Sequence, residues 1–156
     1  VSKRVLDKVD PVYVGWTGNK NRFDHSKYVL SLSDDANKFE SGMLQWESLQ
    51  GLEASVKLYM SLGRDDVEEY ILSLVDYLYE QLKSVEHVSI MGNFEKKHRS
   101  GIVYINFPAD WELNNDILAA HGIRANRSGN AIRTALHYYN NKADVDKLVA
   151  FLKNYK

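Results

Sequence analysis

Hydrophobic periodicity changes character part-way along the chain, and that change divides it into two kinds of structure. Over the first forty residues there is little helical period, and Pro11, Gly15, Gly18 and repeated Asn, Asp and Ser break regular structure. One strand-like run, Val12-Tyr13-Val14, ends at Gly15-Trp16. A long irregular opening is poorly stable alone in a compact domain, so this segment reads as an orphan whose packing partner lies elsewhere.

Beyond it the pattern is regular. Leu49, Leu52, Val56 and Tyr59/Met60 recur at helical spacing until Gly63, which suits a left-handed C′ position, and this predicts a helix over 45–62. Asp65 followed by Glu68 has the logic of a capping box, and the apolar stripe Val67, Ile71, Leu74, Leu78, Leu82 predicts a second helix over 66–83. Tyr70, Tyr77 and Tyr79 read as packing at the core edge. Strands are expected over 86–91 and 101–107, joined by a solvated link whose basic run is Lys96, Lys97, His98, Arg99. Asn114 or Asn115 caps a short helix to His121, Gly122 ends it, and Gly122-Ile123-Arg124-Ala125 resumes as a strand. A further strand runs from Ala131 to Tyr139. Asn140 or Asn141 then caps a last helix, with Val145, Leu148, Val149, Leu152 and Tyr155 toward the sheet. From Gly63 onward the order α-β-β-α-β-β-α implies an α+β layer, a mainly antiparallel sheet with helices on one face.

Composition removes several chemistries. A chain of 156 residues suits one domain with a small appendage. Its 20 Lys+Arg against 21 Asp+Glu, without a long like-charge run, argue against nucleic acid and anionic membrane as partners. With no cysteine there is no disulfide, thiolate metal site or cysteine nucleophile, which points to a cytoplasmic setting. No stretch approaches the ~18 apolar residues of a membrane span. The start at Val1 fits either a piece of a longer protein or removal of an initiator Met. The five histidines, His25, His87, His98, His121 and His137, are scattered, so no metal site is expected. No phosphate-binding glycine loop is present, and Ser41 lacks the elbow of a serine hydrolase.

Arg133 remains. The alternation over 131–139 places Ile132, Thr134, Leu136 and Tyr138 on one face and Arg133, Ala135, His137 and Tyr139 on the other. A guanidinium on a rigid strand, flanked by small residues and turned away from the helices, offers two parallel donors to a carboxylate. Composition and period alone favour the plainer reading, an ion pair at a domain boundary.

Gly122-Ile123, then Ile132-Arg133-Thr134-Ala135-Leu136-His137-Tyr138-Tyr139-Asn140, then Asp144-Val145-Asp146-Lys147-Leu148, resemble the C-terminal end of class V aminotransferases. Upstream, Phe39-Glu40-Ser41-Gly42 is similar to that family's Phe-Glu-x-Gly-Thr segment, the helix to Gly63 to its interdomain helix, and Val12 to Trp16 to the preceding loop. The resemblance covers nearly the whole chain. It implies a fold type I enzyme dependent on pyridoxal 5′-phosphate (PLP), of the cysteine desulfurase and isopenicillin N epimerase-like superfamily. This chain would be its C-terminal portion, with residues 1–62 the tail of the large domain and interdomain helix, and residues 63–156 the small domain.

The same resemblance implies a missing N-terminal large domain, a homodimer, and a small amino-acid or amino-acid-derived substrate whose carboxylate Arg133 clamps. The family's Schiff-base lysine lies upstream of the segment matching Val1 to Asp10, and Lys27 falls on the wrong side of Gly15-Trp16, so no catalytic residue is assigned and this chain alone is expected to be inactive, with no PLP bound. Gly42 and Met43 stand where the family has Gly-Thr, whose hydroxyl reaches the cofactor phosphate across the dimer; a thioether cannot donate that bond. The persulfide cysteine of cysteine-dependent desulfurases belongs in the loop before the Arg strand, yet Asn126-Arg127-Ser128-Gly129-Asn130 is short and cysteine-free, which sets that subclass aside. Transamination, racemisation and lyase chemistry stay open for the parent. His137 and Asn140 match the family's motif too; Asn140 is explained by capping and His137 by packing. The alternative is a free-standing α+β module for amino-acid sensing or dimerisation, without catalysis.

Overall fold

The computed structural model describes residues 1–92 and 95–155, with Lys96 described by its backbone alone. The chain forms two compact units, Val1–Ala54 and Ser55–Lys156.

In the first unit the only α-helix that lies wholly inside it among the described residues is α1 (Lys3–Leu6), with short 3₁₀ turns at Trp16–Gly18 and Ala36–Phe39. Glycine brings these turns together. A Cβ on Gly15 would lie 1.8 Å from the Ser41 carbonyl oxygen, so no side chain is tolerated there. Thr17 Oγ1 donates to the Glu40 carbonyl at 2.8 Å, and Asn19 pairs with Leu32 in an isolated antiparallel bridge. Lys38 is buried, and its Nζ donates to the Leu6 carbonyl at 2.6 Å with Asp10 Oδ1 at 3.9 Å. The opening segment therefore supplies part of its own packing instead of being wholly an orphan. Val12-Tyr13-Val14 is not a strand: Pro11 has no N–H to give a ladder, Gly15 commits the chain to Ser41, and Val12 and Tyr13 are exposed.

Helix α2 (Trp46–Leu62) runs from the first unit into the second, and none of its residues is buried; Trp46, Leu49, Leu52, Val56 and Met60 are all exposed. Gly63, at φ +87°, is the single residue between α2 and α3 (Arg64–Leu82). So short a joint leaves no room for the expected capping box: Gly63 occupies the N-cap, and Asp65 accepts from Arg64 Nε at 3.0 Å instead.

The second unit continues with β1 (Ser89–Met91), β2 (Ile102–Asn106), α4 (Asn115–Ala120), β3 (Asn126–Ser128), β4 (Ala131–Ala135) and α5 (Lys142–Asn154). The strands form one antiparallel sheet in the order β1-β2-β4-β3. Val103, Ile105 and Ile132 turn to one face and join Val75, Leu78 and Leu82 of α3, Leu118 of α4 and Val145, Leu148, Val149 and Leu152 of α5 in the core. In β4, Thr134 is buried on the same face and its Oγ1 donates to the Val103 carbonyl at 3.0 Å. Burying the apolar stripes of α3 and α5 against this face is the main stabilising term, at about 1.5–3 kcal/mol per large aliphatic side chain. The fold is thus α+β with helices against one face of an antiparallel sheet.

Three strand readings differ from expectation, the first being that β1 starts at Ser89 and not at 86, because Glu86 and His87 are still in the turn that follows α3. Gly122-Ile123-Arg124-Ala125 is not a strand, because α4 ends in a Schellman motif: Gly122 N donates to the Ala119 carbonyl at 2.8 Å and Ile123 N to Leu118 at 2.9 Å, with Gly122 at φ +67°. Strand β4 stops at Ala135 rather than Tyr139. Asn140 closes a turn there: its N donates to the His137 carbonyl at 3.0 Å and its side-chain oxygen accepts from His137 N at 3.0 Å. The cap of α5 is accordingly Asn141, in a reciprocal capping box with Asp144. In the link after β1, Lys97 pairs with Glu95 at 3.2 Å and Arg99 with Asp76, while the side chain of Lys96 lies outside the described residues.

Candidate functional site

Strand β4 is held on both sides, and this fixes where Arg133 points. Pairing places Arg133 opposite Tyr104 of β2 and Asn126 of β3, and Tyr104 in turn opposite Met91 of β1. Directly opposed residues of an antiparallel pair share a face, with Cβ atoms about 4.5–5.5 Å apart. Met91, Tyr104, Arg133 and Asn126 therefore form one row across the sheet, on the face opposite the core. Ala131 and Ala135 flank Arg133 along its own strand. Arg133 is half-buried, and among the described residues its guanidinium makes no hydrogen bond or ion pair. The ion pair that composition favours is not made within the described chain, which leaves five N–H donors for a ligand.

The edge beside this row is a tight hairpin. Ser128 pairs with Ala131, so Gly129 and Asn130 are a two-residue turn; Gly129 takes φ +60° at the first position, as type II′ turns require. Arg127 Nε donates to the Gly129 carbonyl at 2.8 Å, and its guanidinium lies 5.9 Å from the Phe107 ring centre. This is the loop in which a persulfide cysteine would be sought, and it is closed as tightly as a hairpin can be.

Other expected residues lie apart from the row. Gly42 and Met43 belong to the first unit; a Cβ on Gly42 would come within 3.3 Å of Trp16 Nε1, and Met43 is exposed. With a thioether at the second position, these two residues offer an anion only backbone amides. His137 follows β4 in the turn closed by Asn140. Its ring stacks on Tyr139 at 5.0 Å and meets Tyr138 edge-on at 4.4 Å, and among the described residues its buried Nδ1 has no partner. A cavity of about 250 Å³ opens on the helix side of β4, lined among others by Ala125, Leu136, Asn140, Asp144 and Lys147, and does not include Arg133. Among the described residues no three His, Asp or Glu side chains converge as a metal site. Among the described residues no helix is long and apolar enough to cross a membrane.

Sequence reasoning missed Tyr104 as a neighbour of Arg133. Alternation in β2 puts Tyr104 off the core face, but only the register between strands sets it beside Arg133.

Residues 1–148 match the family model described as aminotransferase class-V. The chain belongs to this family. A probable cysteine desulfurase of Staphylococcus aureus (strain COL) is 30% identical over 169 residues, covering 99% of this chain and 40% of its own length. Among solved structures, the complex of the cystine C-S lyase C-DES with its reaction product cysteine persulfide aligns at a TM-score of 0.78 with 19% identity, over 99% of this chain and 41% of that one. The apo cysteine desulfurase of Thermococcus onnurineus NA1 aligns at 0.73 with 22% identity, over 98% and 41%. At such identities the structural likeness establishes the fold. The chain spans about 40% of the length of the curated relative it matches and corresponds to the C-terminal portion of a class V enzyme. Several relatives bear the name of the subclass that the cysteine-free loop argued against, so the chain is a cysteine desulfurase-like member of the family whose β3–β4 hairpin carries no cysteine.

Proposed function

We propose that this chain is the substrate-carboxylate-binding part of a PLP-dependent enzyme that acts on a small amino acid, with Arg133 as the clamp. The observation behind this reading is a guanidinium on a rigid central strand, on the helix-free face, with no acidic partner among the described residues. Ladder pairing on both sides fixes the backbone and so the face that Arg133 presents, and its planar fork meets a carboxylate with two parallel bonds. In this reading residues 1–62 are the tail of the large domain with the interdomain helix, and residues 63–156 are the small domain. An N-terminal large domain bearing the lysine and a second subunit complete the site, with Gly42 and Met43 contributing across the dimer. The exposed apolar stripe of α2 then has a covering partner.

PLP, when bound by the rest of the protein, supplies an electron sink. What this chain adds is orientation: Arg133 fixes one end of the substrate. Among transamination, racemisation and lyase chemistry, cleavage of a carbon–sulfur bond is favoured by the relatives' names, desulfurase and C-S lyase. A lyase needs no persulfide cysteine in the β3–β4 hairpin, which is consistent with the turn Gly129-Asn130.

The test compares the 156-residue chain with the full-length protein, each titrated with PLP and then given L-cysteine or L-cystine. The full-length protein should bind PLP stoichiometrically and release pyruvate and ammonia, with a persulfide from L-cystine or sulfide from L-cysteine, and the chain alone should do neither. Stoichiometric PLP binding and turnover by the chain alone, or an inert full-length protein, would overturn the proposal.

A further inference from the structure

The neighbours of Arg133 point to a second donor for the same carboxylate. Resting on the reading of Arg133 as the clamp, we propose that Tyr104 is a second substrate-binding residue of the carboxylate site, its phenolic O–H donating to a carboxylate lone pair that the guanidinium fork leaves open.

Three observations meet here. Tyr104 and Arg133 are directly opposed in the β2–β4 register, so they share the helix-free face at neighbouring Cβ positions. Both are long side chains, and opposed pairs of this kind are within reach of one another across a sheet. Tyr104 is half-buried, yet its hydroxyl has no hydrogen-bond partner among the described residues, although partly buried phenols usually find one. Two half-buried residues at opposed positions, both without a side-chain partner among the described residues, form a donor set that lacks its acceptor. A carboxylate has about four lone-pair sites, and the guanidinium fork takes two of them. A phenol at the edge of the fork can take a third without moving the arginine. Asn126, opposed to Arg133 on the other side, is exposed and borders the site there. Met91, beyond Tyr104 in the row, offers no donor and closes the polar stretch.

The alternative is that Tyr104 packs against Arg133 and supports only its conformation. The two roles differ in which part of Tyr104 they need: a donor needs the hydroxyl, which Phe lacks, whereas packing needs only the ring, which Phe keeps. The experiment uses the full-length protein with PLP bound and calorimetric titration with L-alanine and L-alaninamide, comparing wild type, Tyr104→Phe and Arg133→Ala. Tyr104→Phe should weaken L-alanine binding about tenfold, the scale of one hydrogen bond to a charged group, and weaken L-alaninamide, whose neutral carbonyl is the poorer acceptor, by less. Arg133→Ala should weaken L-alanine further. If Tyr104→Phe leaves L-alanine within about twofold of wild type, or weakens both ligands equally, the inference is wrong while the clamp stands. If Arg133→Ala leaves L-alanine binding intact, the clamp itself fails and the role of Tyr104 with it.

Discussion

Replacing Asn141 by Ala tests how the last helix is anchored over the sheet that displays Arg133. Asn141 Oδ1 accepts from Ala143 N at 2.8 Å, and Asp144 Oδ2 accepts from Asn141 N at 3.0 Å and from Asn140 Nδ2 at 3.3 Å. Ala removes the first bond and exposes an orphan amide in the first turn, while the backbone bond to Asp144 survives. N-cap substitutions of this kind cost about 0.5–2 kcal/mol, with ~1 kcal/mol typical. Helix α5 contributes Val145, Leu148, Val149 and Leu152 to the core, so fraying of its first turn is coupled to the whole second unit. For a unit of roughly 100 residues, ~1 kcal/mol corresponds to a Tm lower by about 4–8 °C. Asn141→Gly should lose only a few tenths of a kcal/mol, since Gly adopts the cap backbone easily. The assay is urea unfolding of the chain followed by far-ultraviolet circular dichroism, with Cm compared at constant m. An Ala variant as stable as wild type, or a Gly variant as costly as Ala, would refute the capping argument.

Two further changes probe the frame of the site. Gly101→Ala would put a Cβ 2.4 Å from the Leu136 carbonyl oxygen, where β2 meets the end of β4, and thermal melts should show a loss of at least ~2 kcal/mol. The Tyr77 hydroxyl donates to Asp146 Oδ1 at 2.7 Å, and that bond to a carboxylate, with burial second, raises its pKa above 10.0. Because the folded pKa exceeds the unfolded one, this contribution is complete below about pH 10 and is lost as pH rises through the folded value. Unfolding measured from about pH 9 to pH 11 should therefore fall more steeply for wild type than for Tyr77→Phe, and parallel curves would count against it.

The placement of Arg133 was legible because period-2 alternation needs no partner strand: apolar Ile132 and buried Thr134 fix the opposite face. Helices α3 and α5 were equally legible, since stripes such as Leu74, Leu78 and Leu82 state their own period. Strand ends were not. Leu136 and Tyr138 continue the alternation, and only the two hydrogen bonds between Asn140 and His137 show that the chain has turned. The resumption expected at Gly122 failed similarly, because the Schellman bonds consume Gly122 and Ile123. In the opening unit, Lys38 reads as a surface lysine, and nothing local reveals that the Leu6 carbonyl will bury it. The row Met91-Tyr104-Arg133-Asn126 depends on pairing between strands distant in sequence, which a single sequence does not encode locally.

The most direct measurement is the affinity of the full-length protein for L-alanine in wild type, Arg133→Lys and Arg133→Ala, by calorimetry. Charge-assisted hydrogen bonds contribute about 1.5–3 kcal/mol, so the Ala variant should bind about 10- to 150-fold more weakly. Lys should recover only part of that loss, because an ammonium lacks the planar fork. Since Arg133 has no partner among the described residues, neither change should lower Tm appreciably. Unchanged affinity in the Ala variant, or full recovery by Lys, would contradict the assignment of Arg133 as the carboxylate clamp.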